Sequence, residues 1–364
     1  MRIMITGGGT GGHTSPAVAI IEELRRRDPQ LMLQWVGRRA SIEQRVSAAN
    51  YIPFRTVPVE GWPRKLTVRR AWVLLKLAAA IARAALLLRK FRPSVVVGVG
   101  GYVSLPLLWA AQRMGVNTVI HEQNKRLGMA NRLAAPRAKR IFLSYEDTIG
   151  AYPKETARVV GNPVRAAFIT PPSIEDARAA LALDPAVPVV LVAGGSQGAQ
   201  SLNQAMHQAL PGFRTDEVQF IWITGKSGLE KARQTASQVP AHVQVAAFIE
   251  DMPTACAAAD LIVSRAGASS TAEIAALGKP AILVPYPHAT DNHQLQNAQA
   301  FEEAGAAILL LDDDCSGEQF DQTVRGRLAD PQALADMGQA ARRLAKPLAA
   351  DVIAEEIIAI AFET

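Results

Sequence analysis

Short apolar runs alternate along the chain with longer segments of helical periodicity. The pattern is clearest at residues 188–210, PVVLVAGGSQGAQSLNQAMHQAL, where a strand-length apolar run leads through a glycine-rich bend into a helical segment. Residues 1–27 repeat the same order. Each segment is typical of a phosphate-binding unit of strand, tight turn and helix N-terminus. Because this unit begins twice, about half a chain apart, we predict an α/β fold of two Rossmann-like, doubly wound domains facing each other across a cleft.

The length and the cysteine content refine this picture. A chain of 364 residues exceeds the usual size of one hydrophobic core. We place an N-terminal domain at residues 1–163 and a C-terminal domain at residues 164–344, with a helix near residues 345–364 packing back on the first domain. The two cysteines, Cys256 and Cys315, form no disulfide framework, which predicts a cytosolic and reducing environment.

Charge is distributed unevenly between the two halves. Residues 1–162 hold 26 Lys and Arg and 9 Asp and Glu, whereas residues 163–364 hold 13 and 24. A basic half of this kind predicts an anionic partner, either nucleic acid or a membrane surface. Composition leaves that choice open.

The first glycine loop, GGGTGGH at residues 7–13, fits the dinucleotide pattern G-x-G-x-x-G between a strand and a helix. A NAD site also needs an acid at the end of the second strand, yet residues 31–36 end in Gly37-Arg38-Arg39. The loop therefore predicts phosphate recognition and argues against NAD, with NADP a minor option. His13 begins the helix, where it either packs or acts on a bound ligand.

Residues 62–93 contain nine Lys and Arg and no acid. Lys76 and Arg83 interrupt the apolar runs, so no uninterrupted run is long enough to span a membrane. Arg69, Lys76, Arg83 and Lys90 recur every seven residues and form one stripe on a helix. The stripe is either the solvated face of an ordinary helix or a docking surface for anionic lipid. Nucleic acid is disfavoured, because aromatic residues are scarce and no reading motif occurs.

A second glycine loop, GVGGY at residues 98–102, follows the strand at residues 94–97. Two such loops at neighbouring strand ends predict a site for two phosphates, or for one diphosphate. The next strand, residues 117–120, delivers His121-Glu122-Gln123-Asn124 to the same edge, where a run of polar side chains favours function over packing.

In the second half, a strand at residues 260–264 and a loop at 265–268 lead into a helix at 269–277. Glu273 then has two interpretations. It completes a capping box with Ser270, or its carboxylate accepts hydrogen bonds from a ribose diol, and the two interpretations do not exclude each other. Asp312 and Asp314 have a spacing that suits a metal on a nucleotide diphosphate, but a solvated turn explains them better.

Six motifs in order carry a family resemblance: GGGTGGH, GVGGYVS, HEQN, GNPVR, GGSQGA and SRAGASSTAEIAALGKPAILVPYP. Together they resemble the MurG family of bacterial N-acetylglucosaminyltransferases of peptidoglycan synthesis. The resemblance implies a GT-B fold. It also implies transfer of GlcNAc from UDP-GlcNAc to the C4 hydroxyl of the muramyl sugar on undecaprenyl diphosphate (lipid I to lipid II), with inversion to a β-linkage.

The resemblance also assigns roles to matching positions. His13 is the implied general base, with Glu122 as the second candidate. The two neighbouring glycine loops, and not the resemblance, make Gly100, Gly101 and Tyr102 the expected residues for the acceptor diphosphate. The implied donor-binding residues are Thr10, Gly11, Gly12, Asn124, Arg165, Ser196, Ile249, Ala268, Ser269, Ser270, Thr271, Ala272, Glu273 and Gln294. His293 stands where a second glutamine is frequent in the family, so its role is open.

These features predict a peripheral enzyme on the cytoplasmic face of the plasma membrane, with a UDP-GlcNAc donor and an undecaprenyl-linked acceptor. No cofactor, metal or nucleic acid is expected. Two alternatives are a UDP-GlcNAc epimerase of the same fold and a non-catalytic binder of nucleotide-sugar at the membrane. The basic segment argues against the epimerase, and a turnover assay separates the binder.

Overall fold

The computed structural model describes residues 1–9, 11–61, 69–195 and 198–363, without the side chains of residues 69–71. Thr10, Ser196 and the first residues of the basic segment therefore lie outside the described residues. Two compact units divide the chain. Unit 1 consists of Met1–Arg165 and Lys346–Thr364, and unit 2 consists of Ala166–Ala345.

Strands and helices alternate through both units. The strands of unit 1 are β1 (Arg2–Thr6), β2 (Met32–Gly37), β3 (Phe54–Thr56), β4 (Val95–Gly98), β5 (Asn117–Glu122), β6 (Arg140–Leu143) and β7 (Ala157–Val159). Those of unit 2 are β8 (Val189–Ala193), β9 (Gln219–Ile223), β10 (His242–Ala246), β11 (Leu261–Ser264), β12 (Ala281–Leu283) and β13 (Ala307–Leu309).

The helices lie between the strands and after them. In the described part of unit 1, the α-helices that precede unit 2 are α1 (Gly11–Arg27), α2 (Ile42–Ala49), α3 (Arg69–Phe91), α4 (Leu105–Arg113) and α5 (Met129–Ala134). Unit 2 contains α6 (Ala166–Ile169), α7 (Ile174–Ala180), α8 (Gln200–Ala209), α9 (Leu229–Ala236), α10 (Met252–Ala258), α11 (Ala268–Leu277), α12 (His293–Glu303), α13 (Gly317–Leu328) and α14 (Pro331–Leu344). The last helix, α15 (Ala349–Phe362), belongs to unit 1.

Each unit is built on one parallel sheet. The strand order is β3-β2-β1-β4-β5-β6-β7 in unit 1 and β10-β9-β8-β11-β12-β13 in unit 2. The order reverses between β1 and β4 in the first sheet and between β8 and β11 in the second. Ligands of doubly wound sheets bind at the carboxyl ends of the strands at this switch point. Both sheets therefore place their glycine-rich loops where a ligand is expected.

The central strands of unit 1 are covered on both faces, which explains their continuous apolar runs. Ile3 and Ile5 of β1 pack in a cluster with residues of α1 and α15, whereas Met4 packs with α3 and α4 on the other face. Helix α15 adds Ile353, Ile357 and other apolar side chains to the first cluster. Burial of one such side chain contributes about 1.5–3 kcal/mol. The final helix is thus part of the core of unit 1.

The predicted strands at residues 31–36, 94–97 and 117–120 are confirmed to within two residues. The edge strands β3 and β7 were not predicted. Each has three residues and includes an arginine, so neither has the apolar periodicity by which a strand is recognised.

Candidate active site

Two glycine loops meet at the carboxyl edge of the unit 1 sheet, after β1 and after β4. Gly101 has a φ of +77°, and a Cβ at this position would overlap the carbonyl oxygen of Gly8. Only glycine permits both the conformation and this approach. Tyr102 borders the same place, since its Cε1 lies 3.5 Å from the Cβ position of Gly9. The prediction that the two loops are neighbours is confirmed.

A buried carboxylate holds the first loop in place. Glu43 of α2 has no exposed surface, and its Oε2 accepts a hydrogen bond from the backbone N–H of Gly9 at 3.2 Å. Its other oxygen accepts from the N–H of Arg38 at 3.0 Å. Sequence reasoning missed Glu43, because it sought an acid at the end of β2 and this one lies in the following helix. Its carboxylate supports the loop from within the fold.

His13 lies in the first turn of α1 and is partly exposed. Its imidazole covers Gly100 of the second loop, with Cδ2 and Nε2 at 2.8 and 3.2 Å from the Cβ position of that glycine. The predicted donor residues Gly11 and Gly12 are the first two residues of the same helix, where Gly11 is partly exposed and Gly12 is exposed. The structure thus brings His13 to the place where the two glycine loops meet.

Glu122 is the last residue of β5 and is only 2% exposed. Its Oε1 accepts from the N–H and the Nδ2 of Asn124, both at 3.1 Å. Its Oε2 accepts from the N–H of Gly128 at 2.8 Å and from Nδ2 of Asn131 at 2.9 Å. Burial raises the pKa of this carboxyl, and the four hydrogen bonds oppose that rise. The carboxylate is therefore committed to holding the segment from Asn124 to Asn131.

The neighbouring polar residues are buried as well, because β5 continues through His121 and Glu122. Burial lowers the pKa of His121 to about 4, so its imidazole is neutral at physiological pH. Nε2 of His121 contacts the carbonyl oxygen of Gly161 at 3.1 Å. Because a carbonyl oxygen only accepts, this nitrogen carries the proton. Arg165, the last residue of unit 1 before the boundary, is partly exposed.

In unit 2, helix α11 begins at Ala268, one position earlier than predicted, and the residue that caps it lies three positions before Ser270, so the capping-box interpretation is wrong. The residue that caps its N-terminus is Gly267, so Ser270 is the third helical residue and Glu273 the sixth. A capping box requires the serine at the cap position itself. The predicted stop is confirmed, because Gly278 adopts a left-handed conformation and ends the helix.

Glu273 thus lies in the second turn of α11, partly exposed. Of the other predicted donor residues here, Ala268, Ser270 and Ala272 are partly exposed, whereas Ser269 and Thr271 are buried. The turn before the helix is held by Asn297, which is 1% exposed and donates from Nδ2 to the carbonyl oxygen of Ala266 at 3.0 Å. Sequence reasoning missed Asn297, because it lies in α12, which is remote in sequence.

Gln294 occupies a second polar segment of unit 2, the start of α12. Its Oε1 accepts from the N–H of Tyr286 at 3.0 Å. Asp291 and Asn292, which precede it, have φ values of 52° and 54°, a left-handed conformation that costs non-glycine residues energy. His293 contacts the carbonyl oxygen of Thr290 through Nδ1 at 2.7 Å, so its ring folds back on its own loop. Ile249 is partly exposed in the loop after β10.

The carboxylate of Asp312 interacts with two other side chains of the protein. It forms an ion pair with Arg265 and accepts a hydrogen bond from Oγ of Ser201 at 2.5 Å. Arg265 also donates to the carbonyl oxygen of Val284 at 3.1 Å. In the part of the chain that the structure describes, no three His, Cys, Asp or Glu side chains converge on a common metal position.

Helix α3 presents an apolar surface to solvent, which we call the α3 stripe. Its members are exposed and recur at spacings of three and four, so they share one helical face: Trp72, Leu75, Ala79, Ala82 and Leu86. Trp72 is 56% and Leu75 is 64% exposed. Of the predicted basic residues, Arg83 and Lys90 are exposed, whereas Lys76 is paired with Glu60 at 2.6 Å. Within the described ranges, none of the helices has the length and hydrophobicity needed to cross a bilayer.

Comparison with known proteins identifies the family. Residues 3–143 match the glycosyltransferase family 28 N-terminal domain, and residues 189–353 match the C-terminal domain of that family. The chain is 39% identical over 98% of its length, and 98% of the relative, to the UDP-N-acetylglucosamine–N-acetylmuramyl-(pentapeptide) pyrophosphoryl-undecaprenol N-acetylglucosamine transferase of Desulforudis audaxviator. It is 36% identical to the enzyme of the same name in Halalkalibacterium halodurans, over 96% of this chain and 97% of that one. This chain belongs to glycosyltransferase family 28 and, within it, to the family of these transferases.

Solved structures agree with the assignment. MurG of Acinetobacter baumannii superposes with a TM-score of 0.75 at 29% identity, covering 98% of this chain and 99% of that one. A UDP-GlcNAc 2-epimerase from Neisseria meningitidis superposes with a TM-score of 0.69, covering 98% of this chain and 100% of that one, but at 14% identity. The second likeness concerns the fold alone. The predicted GT-B fold, with two parallel-sheet α/β domains, is confirmed.

Proposed function

We propose that this protein is an inverting glycosyltransferase that moves GlcNAc from UDP-GlcNAc to the C4 hydroxyl of the N-acetylmuramyl-pentapeptide on undecaprenyl diphosphate. The observation that carries the proposal is the identity of 36–39%, over nearly the whole chain, to transferases named for this reaction. Because one fold hosts many activities, the epimerase likeness does not compete with it. The product is lipid II.

Unit 2 is the proposed donor-binding unit. The N-terminus of α11 presents backbone N–H groups and the positive end of a helix dipole, which favour the diphosphate of UDP. Glu273, in the second turn, accepts hydrogen bonds from the ribose hydroxyls, because an ionised carboxylate has only acceptors to offer. The remaining donor contacts rest on the family resemblance. They are Gly11, Gly12, Asn124, Arg165, Ile249, residues 268–272 and Gln294, together with Thr10 and Ser196 outside the described residues.

The reaction forms a bond from the acceptor oxygen to the anomeric carbon of GlcNAc, while the bond from that carbon to UDP breaks. The hydroxyl proton passes to a general base, and negative charge develops on the departing diphosphate. His13 is the proposed base. It is partly exposed beside the two glycine loops, and we assign Gly100, Gly101 and Tyr102 of the second loop to the acceptor diphosphate.

Glu122 is the weaker candidate for the base. Its two oxygens already accept four hydrogen bonds, and the side chain is buried. A base must reach the proton that it removes. Taking that proton would require Glu122 to give up bonds that hold the following segment, so its proposed role is structural.

The α3 stripe is the proposed membrane contact. Exposed apolar side chains on one face, with Arg83 and Lys90 beside them, have the pattern of a helix that rests in the interface of an anionic leaflet. The undecaprenyl acceptor is itself held in a membrane. We therefore propose a peripheral protein on the cytoplasmic face of the plasma membrane.

The test is a transfer assay with UDP-GlcNAc and a lipid I analogue. The expected products are the disaccharide and one UDP per disaccharide, with UDP release dependent on the acceptor. Appearance of UDP-ManNAc without acceptor would indicate the epimerase instead. Binding of UDP-GlcNAc without turnover of either kind would leave only the non-catalytic binder.

The assay also addresses metal dependence. Asp312 is paired with Arg265, and the α11 N-terminus offers an alternative partner for the diphosphate. We expect the rate in EDTA to equal the rate in Mg²⁺. Activity that disappears in EDTA and returns with Mg²⁺ would contradict this part of the proposal.

A further inference from the structure

Gln123 lies immediately after β5 and is 2% exposed. Its Nε2 donates to the carbonyl oxygen of Val99 at 2.7 Å and lies 3.3 Å from Nδ1 of His121. The proposed mechanism gives this side chain no role. Its contacts nevertheless connect the end of β5 to the second glycine loop.

The contacts determine which way the amide points. The Val99 carbonyl can only accept, so the amino group of Gln123 must face it. His121 supports the same orientation, because its Nε2 donates to the Gly161 carbonyl and its neutral ring then offers Nδ1 as an acceptor. Both amide protons of Gln123 are thus engaged, and Oε1 points away from them.

Oε1 of Gln123 is buried and has no hydrogen-bond partner among the described residues. It lies 3.5 Å from the position that a Cβ on Gly100 would take. Nε2 of His13 lies 3.2 Å from that same position, and Cδ2 of His13 lies 2.8 Å from it. The Cδ2–Nε2 edge of the imidazole and the amide oxygen therefore border one small space above Gly100. A buried acceptor in such a place calls for a donor.

We propose that Gln123 is a positioning residue for His13. Its Oε1, which has no partner in the described part of this structure, accepts a hydrogen bond from Nε2–H when the imidazole turns toward it. This contact selects the tautomer in which Nδ1 is unprotonated and can receive the proton of the acceptor hydroxyl. After the transfer both ring nitrogens carry protons, and Nε2–H stays on Gln123. A neutral amide orients the ring without itself exchanging a proton, as the group behind a catalytic histidine must.

The inference rests on the proposed function only for the use to which Nδ1 is put. The tautomer of His13 is a property of the protein without substrates, and ¹⁵N NMR of the imidazole nitrogens measures it in the full chain. The chain has six histidines, and the His13→Gln spectrum identifies the signals of His13. The expected result is a protonated Nε2 and an unprotonated Nδ1. The opposite tautomer in the wild-type protein would overturn the proposal without any further variant.

Two substitutions separate positioning from packing. Gln123→Met has a similar size but no acceptor, whereas Gln123→Glu, when protonated, donates to the Val99 carbonyl and keeps an oxygen toward His13. We expect Gln123→Met to lose the Nε2–H preference and to lower kcat by roughly 10–100-fold, with KM for UDP-GlcNAc within about twofold. Gln123→Glu should recover both the tautomer and most of the rate. Equal loss in the two variants with an unchanged His13 spectrum would mean that Gln123 acts only through packing.

The two levels of failure remain distinguishable. A wild-type protein that transfers no GlcNAc refutes the proposed function and leaves the tautomer measurement standing. If the wild-type protein transfers GlcNAc but Nε2 of His13 is unprotonated, the role of Gln123 is refuted and the proposed function stands.

Discussion

The switch-point edges of the two units differ in how they treat polar groups. In unit 1, His121, Glu122 and Gln123 are at most 2% exposed. Their side chains form hydrogen bonds with each other or with backbone atoms. In unit 2, the polar residues at the start of α11 include partly exposed ones, among them Ser270 and Glu273. The first edge is a buried hydrogen-bonded network with His13 at its margin, and the second is a partly exposed helix terminus.

The difference fits the functions that we propose for the two edges. Orienting a base requires side chains whose positions are over-determined by hydrogen bonds, as in unit 1. The proposed binding of a diphosphate and a ribose requires accessible donors and acceptors, and several residues at the start of α11 are partly exposed. Changes in the buried network around β5 and His13 should therefore affect turnover or stability, whereas changes at the start of α11 should affect donor affinity.

The largest effect is expected at His13. His13→Ala removes the proposed base and should lower kcat by roughly 10²–10⁴-fold, with UDP affinity unchanged within about twofold. Steady-state kinetics and calorimetric titration with UDP measure the two quantities. His242→Ala, at the exposed start of β10, is the control and should retain full rate. A collapse of UDP affinity with an unchanged saturating rate would make His13 a donor-binding residue.

A second effect concerns the stability of unit 1 in mild acid. His121 has a pKa of about 4 when folded and 6.5 as a free side chain, so the unfolded chain binds the extra proton between these values. The contribution of this pKa difference to the free energy of unfolding is therefore fully present above pH 6.5. It is lost as the pH falls toward 4, by about 3 kcal/mol in total. Hydrogen exchange of the β5 amides against pH measures this.

The control for this prediction is a variant without the titrating group. His121→Asn should have a flatter pH dependence over the same window, although its stability at neutral pH is lower. His242→Asn, which changes an exposed histidine, should follow the wild type. If the wild type and His121→Asn lose stability in parallel, the buried imidazole is not the cause.

A smaller effect is expected at the α3 stripe. Lys76 already pairs with Glu60, so Arg83 is the better site for charge reversal. Each basic residue near an anionic surface contributes about 1 kcal/mol, so Arg83→Glu should weaken binding to vesicles containing anionic lipid by roughly 30-fold. Arg233→Glu makes the same charge change on exposed α9 of unit 2 and should have little effect. Equal co-sedimentation of both variants would return α3 to an ordinary fold helix.

The smallest effect is expected at Glu273. Because Gly267 caps α11, Glu273→Gln should leave the melting temperature unchanged while weakening UDP binding roughly tenfold, through loss of a charged acceptor. Glu303→Gln, an exposed carboxylate in the last turn of α12, is the matched control. Comparison with 2′-deoxy- and 3′-deoxy-UDP completes the test. If the wild-type protein binds both analogues as tightly as UDP, Glu273 does not bind the ribose.

Much of this molecule follows from local patterns in the sequence. Apolar runs predict the central strands because parallel strands are buried on both faces, and the glycine loops mark the switch points of both sheets. The ordered motifs identify the family. Short elements escape this reasoning, since three residues such as those of β3 and β7 carry too little periodicity.

The tertiary structure decided which partner each polar group has. Glu43 reaches the loop at Gly9 from a helix 34 positions away, and Asn297 reaches Ala266 across 31 positions. The exact start of α11 placed Ser270 and Glu273 too far inside the helix for a capping box. The direction of the Gln123 amide depends on Val99 and His121 together. Local composition determines which elements form, but hydrogen-bond partners depend on how distant segments pack, and that is a property of the folded chain.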